Sequence, residues 1–122
     1  MVPGVFLVVA AQLSAFDAAN LALTTCGFAA HRSANEHNLG DEQFTTKLSS
    51  DCAVEIAKMR RAIIALDRGR GKTSAAAMRD ADSSITDFHS FFKNQYARRA
   101  EDERKLRELQ QAIEAEGKAN AP

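Results

Sequence analysis

Two cysteines stand at equal distances from one turn signal, and this symmetry limits what the chain can fold into more than any other feature. Leu39-Gly40-Asp41 interrupts a long helix-compatible stretch, with Cys26 thirteen residues before Leu39 and Cys52 thirteen after it. Glycine suits the left-handed residue that closes a helix, aspartate suits the N-cap of the next helix, and Glu42 places an acid in its first turn. Antiparallel helices rising from such a bend at ~1.5 Å per residue bring the two sulfurs level, about 20 Å from the turn. The spacing therefore predicts a Cys26–Cys52 disulfide. Such a bond persists in oxidising compartments, whereas a reducing one would leave two buried free thiols.

Both cysteines also fall on apolar seams. Phe16, Ala19, Leu23, Cys26 and Ala30 step by threes and fours, predicting a first helix from Phe16 to Asn38. Phe44, Leu48, Cys52, Ile56, Met59, Ile63 and Leu66 form the second stripe, which Ser49-Ser50-Asp51 can interrupt near residue 50. Its end is signalled by Asp67-Arg68-Gly69-Arg70-Gly71-Lys72. Thr73 or Ser74 can then cap a third helix whose seam is Met78, Ala81, Ile85, Phe88, Phe92 and Tyr96. The absence of Trp, the single Tyr and the abundant Ala favour helix over sheet. A chain of 122 residues sustains one core. The expectation is an all-α three-helix bundle over residues 16–97.

The two ends of the chain differ from this middle. Met1 to Ala15 carries no ionisable side chain, contains the run Val5 to Ala11, and ends on a small residue after Leu13-Ser14, which reads as a secretory signal peptide over residues 1–15. The competing readings are a buried first helix and a retained membrane anchor; the apolar stretch is slightly short of the roughly 20 residues a span needs, and Asp17 ends it. Beyond Tyr96, Arg98 to Lys105 is nearly all charge, and only Leu106, Leu109 and Ile113 hold seam positions. Opposite charges four apart (Arg98 with Asp102, Glu101 with Lys105, Glu103 with Arg107, Arg104 with Glu108) each add about 0.2–0.5 kcal/mol to an exposed helix. Residues 98–117 are expected to leave the core as a charged helical extension, with Leu106, Leu109 and Ile113 as a coiled-coil or docking seam. Residues 118–122 are expected to be a disordered tail.

Signals for chemistry are weak beside this architecture. Gly71-Lys72-Thr73 matches the end of a phosphate-binding loop behind the strand-like Ala62 to Leu66, but Leu66 stands where the motif needs its first glycine. His31 and His37 are six residues apart and Cys26 lies five before His31, so no pair has the four-residue spacing that serves zinc on a helix. His37 suits a helix C-terminus instead. A cysteine with a histidine can form a thiolate pair, but seam cysteines are structural. The acidic neighbours Glu36 and Asp41, and Asp80 and Asp82, sit at turn or surface positions. Arg60, Arg61, Arg68, Arg70 and Lys72 gather positive charge near the end of the second helix and are the candidates for contact with an anion. Sixteen basic residues balance sixteen acidic ones, and no aromatics interleave the basic cluster, so nucleic acid is not an expected partner.

The sequence thus points to an exported, periplasmic or secreted, non-enzymatic interaction module that needs no cofactor or metal. Its partner is another protein or a second copy, and a membrane only if the first segment is retained. The alternatives are a small ligand- or metal-binding sensor and a membrane-tethered coiled-coil spacer.

Overall fold

Five helices carry the chain: α1 (Pro3–Glu36), α2 (Asp41–Asp51), α3 (Ala53–Gly69), α4 (Ser74–Ala97) and α5 (Arg99–Ala119). The computed structural model describes residues 3–120, with side chains from Ala10 onward, and has no strand among them. Cys52 joins α2 to α3 and Arg98 joins α4 to α5 with i to i+4 hydrogen bonds running through both joints. The helices therefore make three rods: α1, then α2–α3 antiparallel to it, then α4 parallel to it and continued past a bend at Arg98 by α5. The all-α bundle is as expected, including the break in the second helix. Both serines near that break remain helical, and the irregular residue is Cys52.

The bend between α1 and α2 forms where expected, with its left-handed residue two positions earlier and its N-cap one position earlier than expected. Asn38, not Gly40, takes the left-handed conformation, with φ of 53°, because asparagine tolerates it at a helix C-terminus. Leu39 N–H reaches back to the Ala34 carbonyl at 3.0 Å and Asn38 N–H to that of Asn35 at 3.2 Å, so two of the four carbonyls that the helix end would orphan are satisfied there. Gly40 is the N-cap of α2 in place of Asp41, and its N–H is held by Gln43 Oε1 at 2.9 Å. The α3–α4 turn repeats the device with Gly71 at φ of 88°, and Thr73 caps α4 by accepting the Ala76 N–H at 3.1 Å.

Cys26 and Cys52 form a disulfide with their Cα atoms 5.8 Å apart. Around it Leu23, Ala30, Phe44, Leu48, Met59, Ile63, Ala81, Ile85, Phe92 and Tyr96 are buried in one cluster, against which Phe16, Ala19, Ile56 and Phe88 pack. Each large side chain buried this way contributes about 1.5–3 kcal/mol. Gly27 sets the spacing of α1 and α4, because a Cβ there would overlap the Phe92 ring. Met78 leaves the expected seam and is exposed; Ala77 is buried instead, its small side chain letting the start of α4 lie close to its neighbours.

Both ends of the chain are more helical than expected. The first helix starts at Pro3 rather than Phe16, so Ala15 lies mid-helix, and the Gln12 amide rests against Gly69 at the end of α3. The side chains of residues 1–9, the apolar part of the expected signal peptide, lie outside the described residues. At the other end α5 passes through Gly117 to Ala119, where a tail was expected from residue 118. One exposed glycine costs a helix about 1 kcal/mol, and the flanking Ala, Glu and Lys are strong helix formers. Residues 121 and 122 lie outside the described range.

Candidate interaction surface

The bundle's upper end is closed by one aromatic residue and one arginine. Tyr96, the last seam residue of α4, is fully buried and stacks on Phe44 with ring centroids 4.2 Å apart, while His31 meets its edge at 5.3 Å. Its hydroxyl donates to the Leu39 carbonyl at 2.6 Å, tying α4 to the α1–α2 bend. Arg99 covers the other side of this lock. Its guanidinium lies 3.6 Å from the Tyr96 ring centroid and donates to the carbonyls of Tyr96 and Leu39 and to Asp41 Oδ1 at 2.6, 3.1 and 2.7 Å. Sequence reasoning placed Arg99 in the exposed extension. Its three-residue step from Tyr96 was the available signal, since it continues the seam.

Past Arg99 the helix stands in solvent. No residue of α5 is buried, and its backbone approaches no helix except α4 among the described residues. Two of the four expected charge pairs form, Lys105 with Glu101 at 3.2 Å and Arg104 with Glu108 at 2.6 Å. These pairs support the helix where packing does not. Leu106, Leu109 and Ile113 lie along one face and are 61, 58 and 60% exposed.

A second apolar surface opens between α1 and α4. These two rods touch less than any other adjacent pair, and the groove between them, about 430 Å³, is lined by Phe16, Asn20, Leu23, Ser84, Asp87 and Phe88 among others, with Met59 of α3 below. Phe91, which also lines it, and Phe28, whose ring meets that of Phe91 edge to face at 6.4 Å, are about half exposed.

Three of the basic residues near the α3–α4 turn have partners of their own. Arg60 pairs with Asp82, and Arg68 Nη1 donates to the Lys72 carbonyl at 2.9 Å, closing the turn. Lys72 Nζ lies 2.7 Å from Asp80 Oδ2 and 3.7 Å from Asp67 Oδ2. Arg61 and Arg70 are exposed. Asp67 is a buried carboxylate that sequence reasoning missed, because it lies one residue beyond the seam residue Leu66. The Asp80 carboxylate beside it, together with burial, pushes the Asp67 carboxyl above its ordinary range; the same contact and Lys72 hold Asp80 below its own. The Gly71-Lys72-Thr73 stretch is thus a capped helix–helix turn, and Ala62 to Leu66 before it is helical rather than strand-like.

The histidines serve local structure. His37 Nδ1 lies 2.8 Å from the Ser33 carbonyl at the end of α1, and His89 bridges Ser49 Oγ at 3.2 Å and the Ile85 carbonyl at 3.0 Å. No group of three or more His, Cys, Asp or Glu residues gathers around a common point among the described residues, and no helix there is long and apolar enough to cross a membrane. In comparisons with known proteins, no family model, no curated protein and no solved structure matches the chain.

Proposed function

We propose that the chain is a non-enzymatic docking module of an oxidising compartment, periplasmic or extracellular, which reaches it by means of the signal peptide Met1–Ala15. The stapled bundle is the rigid base and α5 is the docking arm. One observation carries this reading: three large apolar side chains are aligned on a helix that buries none of its residues. Apolar residues at this spacing with nothing packed on them are what helix-in-groove recognition uses as anchors. The disulfide is compatible with an oxidising compartment. It holds the hairpin from which Arg99 directs the arm.

The test is capture from a periplasmic or secreted extract on wild-type protein and on the Leu106→Glu/Leu109→Glu/Ile113→Glu variant, with matched melting curves showing that both bundles are folded. Protein retained by the wild type and lost from the variant is the expected result. Equal retention, or none by either from a wild type that is also monomeric, rejects the docking arm. N-terminal sequencing of the protein from cells addresses export, with residue 16 as the expected first residue; a chain still beginning at Met1 rejects the signal peptide.

A further inference from the structure

The groove between α1 and α4 and the bare face of α5 are both apolar surfaces left uncovered, and their positions along the helices match. Counting from Arg98, Leu106 lies eight residues after it and Ser90 eight before; Leu109 and Asp87 lie eleven away on either side, and Ile113 and Ser83 fifteen. An α5 laid antiparallel to α4 about Arg98 therefore brings Leu106, Leu109 and Ile113 level with the stretch that carries Phe91, Phe88, Asp87 and Ser84, the α4 wall of the groove. On the opposite wall the Phe28–Phe92 and His31–Tyr96 contacts fix the level of α1 against α4. By that level Leu106 falls opposite Cys26, two residues from Phe28, and Ile113 opposite Ala19, beside Asn20.

We propose that α5 of one molecule docks in the α1–α4 groove of a second copy while the second copy's α5 docks in the first, giving a symmetric exchanged dimer. The inference rests on the reading of α5 as a docking arm and names its partner. A molecule cannot fill its own groove without breaking the helix at Arg98. The continuous hydrogen bonds there and the hold of Arg99 on Leu39, Asp41 and Tyr96 keep α5 directed away from its own bundle. Two such molecules related by a two-fold axis near Arg98 satisfy both surfaces at once, and the assembly closes at two copies.

The charges agree with this register. Asp87, level with Leu109, is the one charged residue of the groove lining. Lys105, which also pairs with Glu101, lies one turn before Leu109 on the same side of α5 and brings a cation toward that carboxylate, whereas Arg107 lies on the opposite face. Lower on α4, where Glu114 and Glu116 arrive, Asp82 and Asp80 are already paired with Arg60 and Lys72. The incoming acids meet neutralised partners.

Sedimentation equilibrium of the full oxidised chain tests the exchange, using Leu109→Glu, Asp87→Lys, and Asp87→Lys combined with Lys105→Glu. All three positions are exposed, and circular dichroism with melting curves confirms the fold of each variant. The expected result is a dimer in the wild type, weakened more than about 100-fold by Leu109→Glu and about tenfold by Asp87→Lys, then restored to within about threefold by the compensating charge. A monomer at every concentration, a dimer indifferent to Leu109→Glu, or no rescue by the compensating charge overturns the proposal. The capture experiment separates the two readings: a monomer whose α5 still retains another protein rejects the exchange alone, whereas a monomer that also retains nothing rejects the docking arm with it.

Discussion

α4 buries Ala77, Ala81, Ile85, Phe92 and Tyr96, whereas α5, which continues the same helix through Arg98, buries nothing. Both carry apolar residues at steps of three and four. The period therefore does not separate them; what lies opposite does. α4 faces α3 along its earlier part, α2 along its later part and the α1–α2 bend at its end, where Tyr96 and Arg99 seal the bundle. One turn later there is no second rod. The helix then depends on intrinsic propensity and on pairs such as Arg104 with Glu108, worth tenths of a kcal/mol each against about 1.5–3 for a buried side chain.

That contrast can be broken most forcefully at its boundary. Tyr96→Ala removes the stacked ring and the bond to the Leu39 carbonyl together, and should cost about 3–5 kcal/mol in urea unfolding, the range for deleting a large buried ring. A loss under about 1 kcal/mol would mean that the core ends before Tyr96. Reducing the disulfide, or replacing both cysteines with Ala, should cost roughly 3.5 kcal/mol, since the bond closes a loop of 26 residues. Under reduction the hairpin end should loosen while hydrogen exchange in α5 stays as fast as before.

Smaller changes sharpen the boundary. Arg99→Ala should cost about 1–2 kcal/mol, because the cation over the Tyr96 ring and bonds to two carbonyls are lost from a half-buried site. A purely solvated Arg99 would cost under about 0.5 kcal/mol. Asp67→Asn tests the buried carboxylate at the opposite end of α4. The Asp67 pKa is raised on folding, so its ionised form favours the unfolded chain and stability is lost as pH rises through the raised value. Asp80, whose pKa is lowered, contributes stability above the ordinary aspartate value of 3.8 and loses it as pH falls through its own depressed value. The Asn variant should therefore melt higher than wild type near neutral pH, with the gain vanishing in acid where Asp67 is protonated anyway. A gain that persists at low pH would contradict this account.

The smallest effect is expected from the largest deletion. Removing Glu101 to Pro122 should shift the melting temperature of dilute protein by less than about 2 °C, equivalent to ~0.5 kcal/mol for a domain of this size. A drop of more than about 10 °C would show that α5 belongs to the core.

Local pattern alone was sufficient for the helices, for most of the buried residues and for the disulfide. A helical seam depends only on the 3.6-residue period, and the sulfur pairing depends only on equal arms about one bend. Thr73 as a cap and His37 at a helix end were legible for the same reason, since each acts within one turn. Arg99, Gly27, Asp67 and the half-exposed Phe28 and Phe91 were not. Their roles depend on residues tens of positions away: Leu39 and Asp41 for Arg99, Phe92 for Gly27, Asp80 for Asp67. Met78 was misplaced and Ala77 overlooked because adjacent positions near a seam differ by only 100° of rotation, and the facing rod decides which of them is covered. What the amino-acid order determined is therefore the set of helices and the clasp that pairs the first two. Which apolar faces were closed, and which were left open on α5 and in the α1–α4 groove, was decided only when the rods packed, because burial is a property of the space between helices and not of any one of them.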